Sequence, residues 1–323
     1  MDIPTIIVAP MAGGPSTPEL VVAAANAGSL GFLAPGQGPA NVLEGWLSEV
    51  GDCRYGVNLF TKQQPLSSLT ELRQVAEEIA PGAQLPEVDY SCDFDAKFNA
   101  LLAAEHPPAV VSATFGPFTK DEIAALHDRG IDAWITVTCP ADALAAADLG
   151  ADALVVQGPE AGGHRSTWEV DQDPDSRSLP ELIDAIVTAG IHLPLVAAGG
   201  TRERSDVEST LALPGVVAVS CGSAFLLADE AGTSQFNRTL LAEGGESVAS
   251  RAFSGRVARG LVTEFVREHP DMPAIYPHLA PMLAPLRQAD PAGIAYCLVG
   301  TDVDKLTSGS VADILHQMAL TRG

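Results

Sequence analysis

Short runs of apolar and β-branched residues recur along the chain at 5–9 (TIIVA), 30–34 (LGFLA), 55–60 (YGVNLF), 109–113 (AVVSA), 131–137 (IDAWITV), 152–157 (DALVVQ), 193–198 (LPLVAA) and 215–220 (GVVAVS). They are largely continuous rather than alternating, which is the pattern of strands buried on both faces of a parallel sheet. Between them lie Ala/Leu/Glu-rich stretches with helical spacing, among them 18–27 (PELVVAAANA), 69–80 (LTELRQVAEEIA), 119–129 (TKDEIAALHDR) and 141–149 (ADALAAADL). Ser16-Thr17-Pro18-Glu19 supplies a cap, a first-turn proline and an early acid, and Pro140-Ala141-Asp142 opens another helix in the same way. Eight strands alternating with helices predict an α/β fold of parallel units closed into a (β/α)8 TIM barrel. An open doubly wound sheet usually has fewer strands and asks for a G-x-G-x-x-G turn after the first; here that stretch reads APMAGGPSTPEL.

The rhythm assigns residues 1–226 to the barrel, with an insertion at about 81–108 that is first irregular and then helical. After residue 226 it ceases. Residues 227–323 read as a helical C-terminal segment with proline-rich joints (HPDMPAIYPHLAPMLAP), packed on the barrel because it offers little core of its own.

Composition changes the picture in two respects. Hydrophobic residues make up 46% and charged residues 18%, too apolar for a disordered chain. The formal charge of −23, from 41 acidic against 18 basic residues, repels nucleic acid and anionic membrane surfaces, so any bound anion must be held by local donors. Five scattered cysteines without a C-x-x-C pair suggest neither a disulfide framework nor a zinc site, and a reducing cytoplasm fits best. The start, MDIPTIIVAPMAGG, lacks the features of a secretion signal, and no apolar run reaches membrane-spanning length.

In a barrel the chemistry sits where strands end and loops begin. Glycine-rich or polar clusters fall there repeatedly: Pro10-Met11-Ala12-Gly13-Gly14, Asn58, Gln157 through His164, Ala198-Gly199-Gly200 and Cys221-Gly222-Ser223. The last two follow strands seven and eight, where backbone N–H groups and a helix N-terminus often form a phosphate site. From the residues alone, His164, which follows two glycines in VVQGPEAGGHRST, reads equally as a loop brace or as an acid–base group. Glu160 and Arg165 read as structural partners of that loop. The remaining histidines read as surface residues, and Arg251, Arg256 and Arg259 as partners of nearby carboxylates.

In order along the chain, APMAGGPSTPELVVAAANAGSLGFLAPG, GVNLF, VVQGPEAGGHRST, LPLVAAGG, CGSAFL and RAFSGRVARG resemble successive motifs of the nitronate monooxygenases, FMN-dependent barrels formerly called 2-nitropropane dioxygenases. The flavin-dependent enoyl-acyl-carrier-protein reductases share the E-A-G-G-H core. The resemblance implies FMN as cofactor. It sets the backbone around Pro10, Met11 and Gly13 against the flavin ring, Asn58 and Gln157 at its polar edge, and Gly162 and Gly163 at a close approach. It implies that Gly199, Gly200, Gly222 and Ser223 hold the phosphate and that His164 is the active-site histidine. The implied activity is oxidation of an alkyl nitronate by dioxygen to a carbonyl compound and nitrite. An NAD(P)H-dependent flavin reductase acting on enoyl thioesters or quinones, and a flavin-binding protein without chemistry, are the alternatives. Two departures stand out: Ser112-Ala113-Thr114-Phe115-Gly116 lacks a histidine usual in the family, and Tyr296 through Asp302 replaces a W-A-G-Q stretch.

Overall fold

A computed structural model describes residues 3–320. Eight parallel strands close into a barrel: β1 (Ile6–Val8), β2 (Leu30–Leu33), β3 (Gly56–Phe60), β4 (Val110–Thr114), β5 (Asp132–Val137), β6 (Ala153–Gln157), β8 (Leu195–Ala198) and β9 (Val216–Cys221), with β9 pairing back onto β1. Each of these strands overlaps one of the apolar runs. Thr17 caps the helix Pro18–Asn26 by accepting from the Leu20 N–H, and Thr119 and Glu122 form a reciprocal capping box on Lys120–Asp128. The insertion contributes the helix Phe94–Ala103.

Because side chains alternate along a strand, the residues that point into the barrel can be followed upward in steps of two. Lower down, Ile7, Phe32, Val110, Trp134, Ala153, Val196 and Ala218 pack into one cluster that plugs the interior. Gly56 belongs to this level; a Cβ there would run into the Phe32 ring, so glycine is what lets that ring fill the barrel. One step further, the same strands present Ala9, Asn58, Ser112, Thr136, Val155, Ala198 and Ser220. Several strands thus change from apolar to polar at the depth where the plug ends.

The stretch after residue 226 carries helices, including Gln235–Glu243, Leu279–Ala289 and Val311–Met318. It also holds two strands where only helices were expected: β10 (Ser247–Ser250) and β11 (Ala258–Leu261), antiparallel to one another. β11 pairs in turn with a two-residue strand, β7 (Gly163–His164), setting Ala258 opposite His164 and Arg259 opposite Gly163. Four residues of small or mixed character, SVAS, show no alternation of burial, which is why the pattern did not reveal β10. Among the described residues no helix is long and apolar enough to cross a membrane.

Candidate active site

Above the plug, the strand ends and loops enclose a cavity of about 220 Å³. Its wall includes Pro10, Met11, Gly13, Asn58, Gln157, Gly162, Gly163, His164, Gly199, Gly222 and Ser223, drawn from five separate parts of the sequence. Gly200 is the one expected site residue outside the wall; its φ of +72° makes the turn after β8, and a Cβ there would face Glu160.

The cavity also gathers residues that sequence reasoning missed. Phe60, Thr114, Phe115 and Thr136 join it from β3, β4, the turn after β4, and β5. Thr201, Arg202, Thr233 and Asn237 join from beyond β8 and β9, and Tyr296, Cys297 and Leu298 from the segment that departs from the family pattern. That segment is brought in by an antiparallel bridge from Leu298 to Gly260 on β11. It is then fastened to the rim: the Gly300 N–H donates to Ser223 Oγ at 2.9 Å, and Arg202 Nη2 donates to the Thr301 carbonyl at 2.8 Å.

Gly162 serves this junction directly. A Cβ there would lie 2.5 Å from the Gly300 nitrogen and 2.6 Å from the Val299 carbonyl carbon, so its small size admits the C-terminal segment. Gly163, by contrast, has φ +83° and open space for 4 Å around the point where a Cβ would stand, and it lies on the cavity wall.

The amide side chains are largely engaged by the protein. Asn58 Nδ2 donates to Ser112 Oγ at 2.9 Å and Thr114 Oγ1 at 3.0 Å. Gln157 donates through Nε2 to the His164 carbonyl at 2.9 Å and accepts at Oε1 from the Ser166 N–H at 2.8 Å, so it clamps the loop that carries the histidine. Arg165 extends the clamp by donating to the Gln157 and Asp175 carbonyls. Glu160 accepts from the Leu179 N–H. Both act as the loop supports expected of them, through hydrogen bonds rather than an ion pair.

His164 is partly buried. Its Nε2 lies 2.7 Å from Ser254 Oγ, and the Phe115 and Tyr276 rings meet it edge-on at centroid distances of 5.7 and 5.5 Å. Phe115 is held there by a backbone φ of +73°, an uncommon conformation for a bulky residue, while its N–H donates to Ser166 Oγ at 3.0 Å. Burial, with a further push from the Arg256 guanidinium, lowers the imidazole pKa to about 3. His164 is therefore neutral throughout the physiological range.

Two expectations require correction. His278 is buried rather than on the surface, 2.7 Å from the Tyr90 hydroxyl, because the insertion folds over it. Of the three arginines, Arg251 pairs with Asp173, whereas Arg259 donates to the Pro159 and Ser247 carbonyls. Arg256 donates to Thr167 and to Gln63 Oε1. The tertiary neighbours of Arg256 and Arg259 are carbonyls, hydroxyls and an amide, which a count of acidic residues cannot reveal.

Cavity-wall donors remain free of protein partners. Thr201 Oγ1, Arg202 Nε and Thr233 Oγ1 are buried and have none. The first two adjoin the glycine turn after β8, and burial lowers the Arg202 pKa without displacing its charge near neutrality.

The nitronate monooxygenase family profile matches residues 1–320. The nitronate monooxygenase of Pseudomonas aeruginosa is 32% identical over 293 residues, covering 84% of this chain and 82% of its own. That of Paraburkholderia phytofirmans is 32% identical over 290 residues, covering 84% and 78%. Among solved structures, the nitroalkane oxidase from Streptomyces ansochromogenes is 33% identical, with a TM-score of 0.87 over 97% of this chain and 94% of its own. FabK from Thermotoga maritima, at 22% identity and a TM-score of 0.73 over 97% and 91%, shares the fold. With its barrel, its glycine-lined cavity and a full-length match, the chain belongs to the nitronate monooxygenase family.

Proposed function

We propose that this chain is an FMN-dependent oxidoreductase that oxidises alkyl nitronates with dioxygen, releasing a carbonyl compound and nitrite. The observation that carries the reading is a neutral His164 on the wall of a glycine-lined cavity that also contains buried donors without protein partners. The donor set suits FMN. Backbone N–H groups at Gly199, Gly222 and Ser223, the Thr201 hydroxyl and Arg202 Nε suit its phosphate, with Gly200 shaping the turn behind them and the Ser223 hydroxyl retaining a proton to donate while it accepts from Gly300. Pro10, Met11, Gly13 and Gly163 offer a close-approach surface for the ring system, with Asn58 at the polar edge. Gly162 and Gln157 serve the same site by fitting and bracing the loop. Bound there, FMN supplies the electron transfer.

The protein handles the proton and the orientation. Ser254 Oγ lies within hydrogen-bond distance of His164 Nε2, the Arg256 N–H and the Arg256 carbonyl. This network is satisfied when His164 Nε2–H and the Arg256 N–H both donate to Oγ, whose own O–H donates to the Arg256 carbonyl. Nδ1 is then the ring's proton acceptor. A base with a pKa near 3 is weak, so a preformed nitronate, which has already lost its carbon-bound proton, is the better substrate than the neutral nitroalkane.

Oxygen uptake with a panel of nitronates, nitroalkanes, NADH and NADPH tests the reaction, and chromatography of heat-released flavin tests the cofactor. Nitronates are expected to drive oxygen consumption without a nicotinamide, and the flavin to be FMN. Uptake that requires NADH, or release of FAD, overturns the respective assignment.

A further inference from the structure

Arg256 is 1% exposed, yet forms no ion pair among the described residues. Its Nη1 donates to the Thr167 carbonyl at 2.7 Å and its Nη2 to Gln63 Oε1 at 2.7 Å, both neutral acceptors, while Nε has no partner. Glu169 contributes a backbone oxygen at 3.5 Å, and its exposed carboxylate acts on the guanidinium only from a distance, without an ion pair. In a chain with 41 acidic residues, a buried cation hydrogen-bonded only to neutral oxygens, among them the Thr167 hydroxyl, is a costly arrangement. The guanidinium carbon sits 4.3 Å from the Phe115 ring centroid and 5.1 Å from that of Tyr276, the two rings that flank His164. Aromatic faces stabilise a cation without cancelling its field. The positive charge therefore lies one aromatic ring behind the imidazole.

We infer that Arg256 is a positioning residue that sets the charge of the His164 end of the cavity, so that this end takes up an anionic nitronate in preference to its neutral nitroalkane. Phe115, on the cavity wall, separates the guanidinium from the substrate space while passing its field. The inference rests on the nitronate reading above, and it adds a reason for substrate selection that does not pass through proton transfer. The same charge opposes protonation of His164, so the imidazole stays neutral and Arg256 is the cation behind this part of the wall.

Gln63 provides a test that leaves the guanidinium in place. Gln63→Glu sets a carboxylate against Arg256 Nη2 and compensates the charge, at the cost of the bond that Gln63 Nε2 donates to the Thr61 carbonyl at 2.8 Å. Gln63→Met, which loses that bond without adding a charge, is the control. Arg256→Met removes the charge, and Arg256→Lys keeps it while losing the fork. In the flavin-loaded protein, KM for ethyl nitronate and the inhibition constant of nitrate, a planar oxyanion, are expected to rise about tenfold in Gln63→Glu and Arg256→Met, the size of a unit charge acting across one ring. kcat is expected to change less than KM, and Arg256→Lys to recover most of the loss. The thermal shift caused by nitrate, measured at constant ionic strength against chloride, gives the same ranking without turnover. Wild-type KM and nitrate constants in Gln63→Glu overturn the inference, as does an Arg256→Lys variant as impaired as Arg256→Met. Absence of nitronate turnover alongside an Arg256-dependent nitrate shift overturns the reaction assignment and leaves the anion site standing.

Discussion

Holding His164 neutral makes folding sensitive to acid, and His164→Asn should remove that sensitivity. In the unfolded chain a histidine titrates near 6.5, whereas in the folded protein burial first, and the Arg256 charge second, depress its pKa to about 3. A depressed pKa means that the unfolded state binds the proton first. The histidine's contribution is therefore intact above pH 6.5 and is lost progressively as pH falls from 6.5 toward 3. Each pH unit inside that window is worth about 1.4 kcal/mol, so the loss at about pH 5 is about 2 kcal/mol, a large share of a typical domain's stability. Asparagine keeps a polar side chain at the site and has no proton to gain. Denaturant unfolding of both proteins at about pH 7.5 and about pH 5, with the flavin state matched, isolates the effect, because groups common to both cancel in the difference. The wild type should lose about 2 kcal/mol more than the variant between the two conditions. Parallel losses would refute the argument: the imidazole would then titrate as an exposed histidine does, and the weakness of the base would no longer account for a preference for preformed nitronate.

Other consequences are equally open to measurement. Gly162→Ala drives a Cβ into the backbone at Val299 and Gly300, and overpacking of this kind should cost about 1–3 kcal/mol, seen as a lower melting temperature together with reduced flavin retention; an unchanged melt would mean that the junction yields freely. Arg202→Met should weaken FMN binding about tenfold or more while leaving riboflavin binding near the wild-type value, as expected for loss of one charge-assisted bond to a phosphate; fluorescence titration with the two flavins decides it, and an equal loss for both would remove Arg202 from the phosphate site. Ser223→Asp should also lower FMN retention with the circular dichroism unchanged, since it sets a carboxylate beside the same phosphate; undiminished FMN affinity would move that site elsewhere.

The sequence by itself determined the barrel and much of its rim. Strands such as LGFL at Leu30–Leu33 are buried at every position, so their apolar character had to be continuous and was legible without a partner in view. Most of the glycine-rich turns were legible for a related reason: each follows a strand, and strand ends of a parallel barrel share one rim whatever the details of packing. Tertiary structure alone decided what surrounds each functional group. Ser254 reaches His164 across 90 positions, and Arg256 reaches Gln63 across 193, contacts with no local periodicity to announce them. Gln157 illustrates the limit from the other side. Its place at the end of β6 was readable, but the commitment of its amide to the His164–Ser166 loop depends on a hydrogen-bond partner fixed only when that loop closes. The charge that faces a buried site is decided in the same way. Composition reports 41 acidic residues, yet the fold surrounds one buried arginine with neutral oxygens and aromatic rings, because burial and distance, rather than abundance, determine which charges meet.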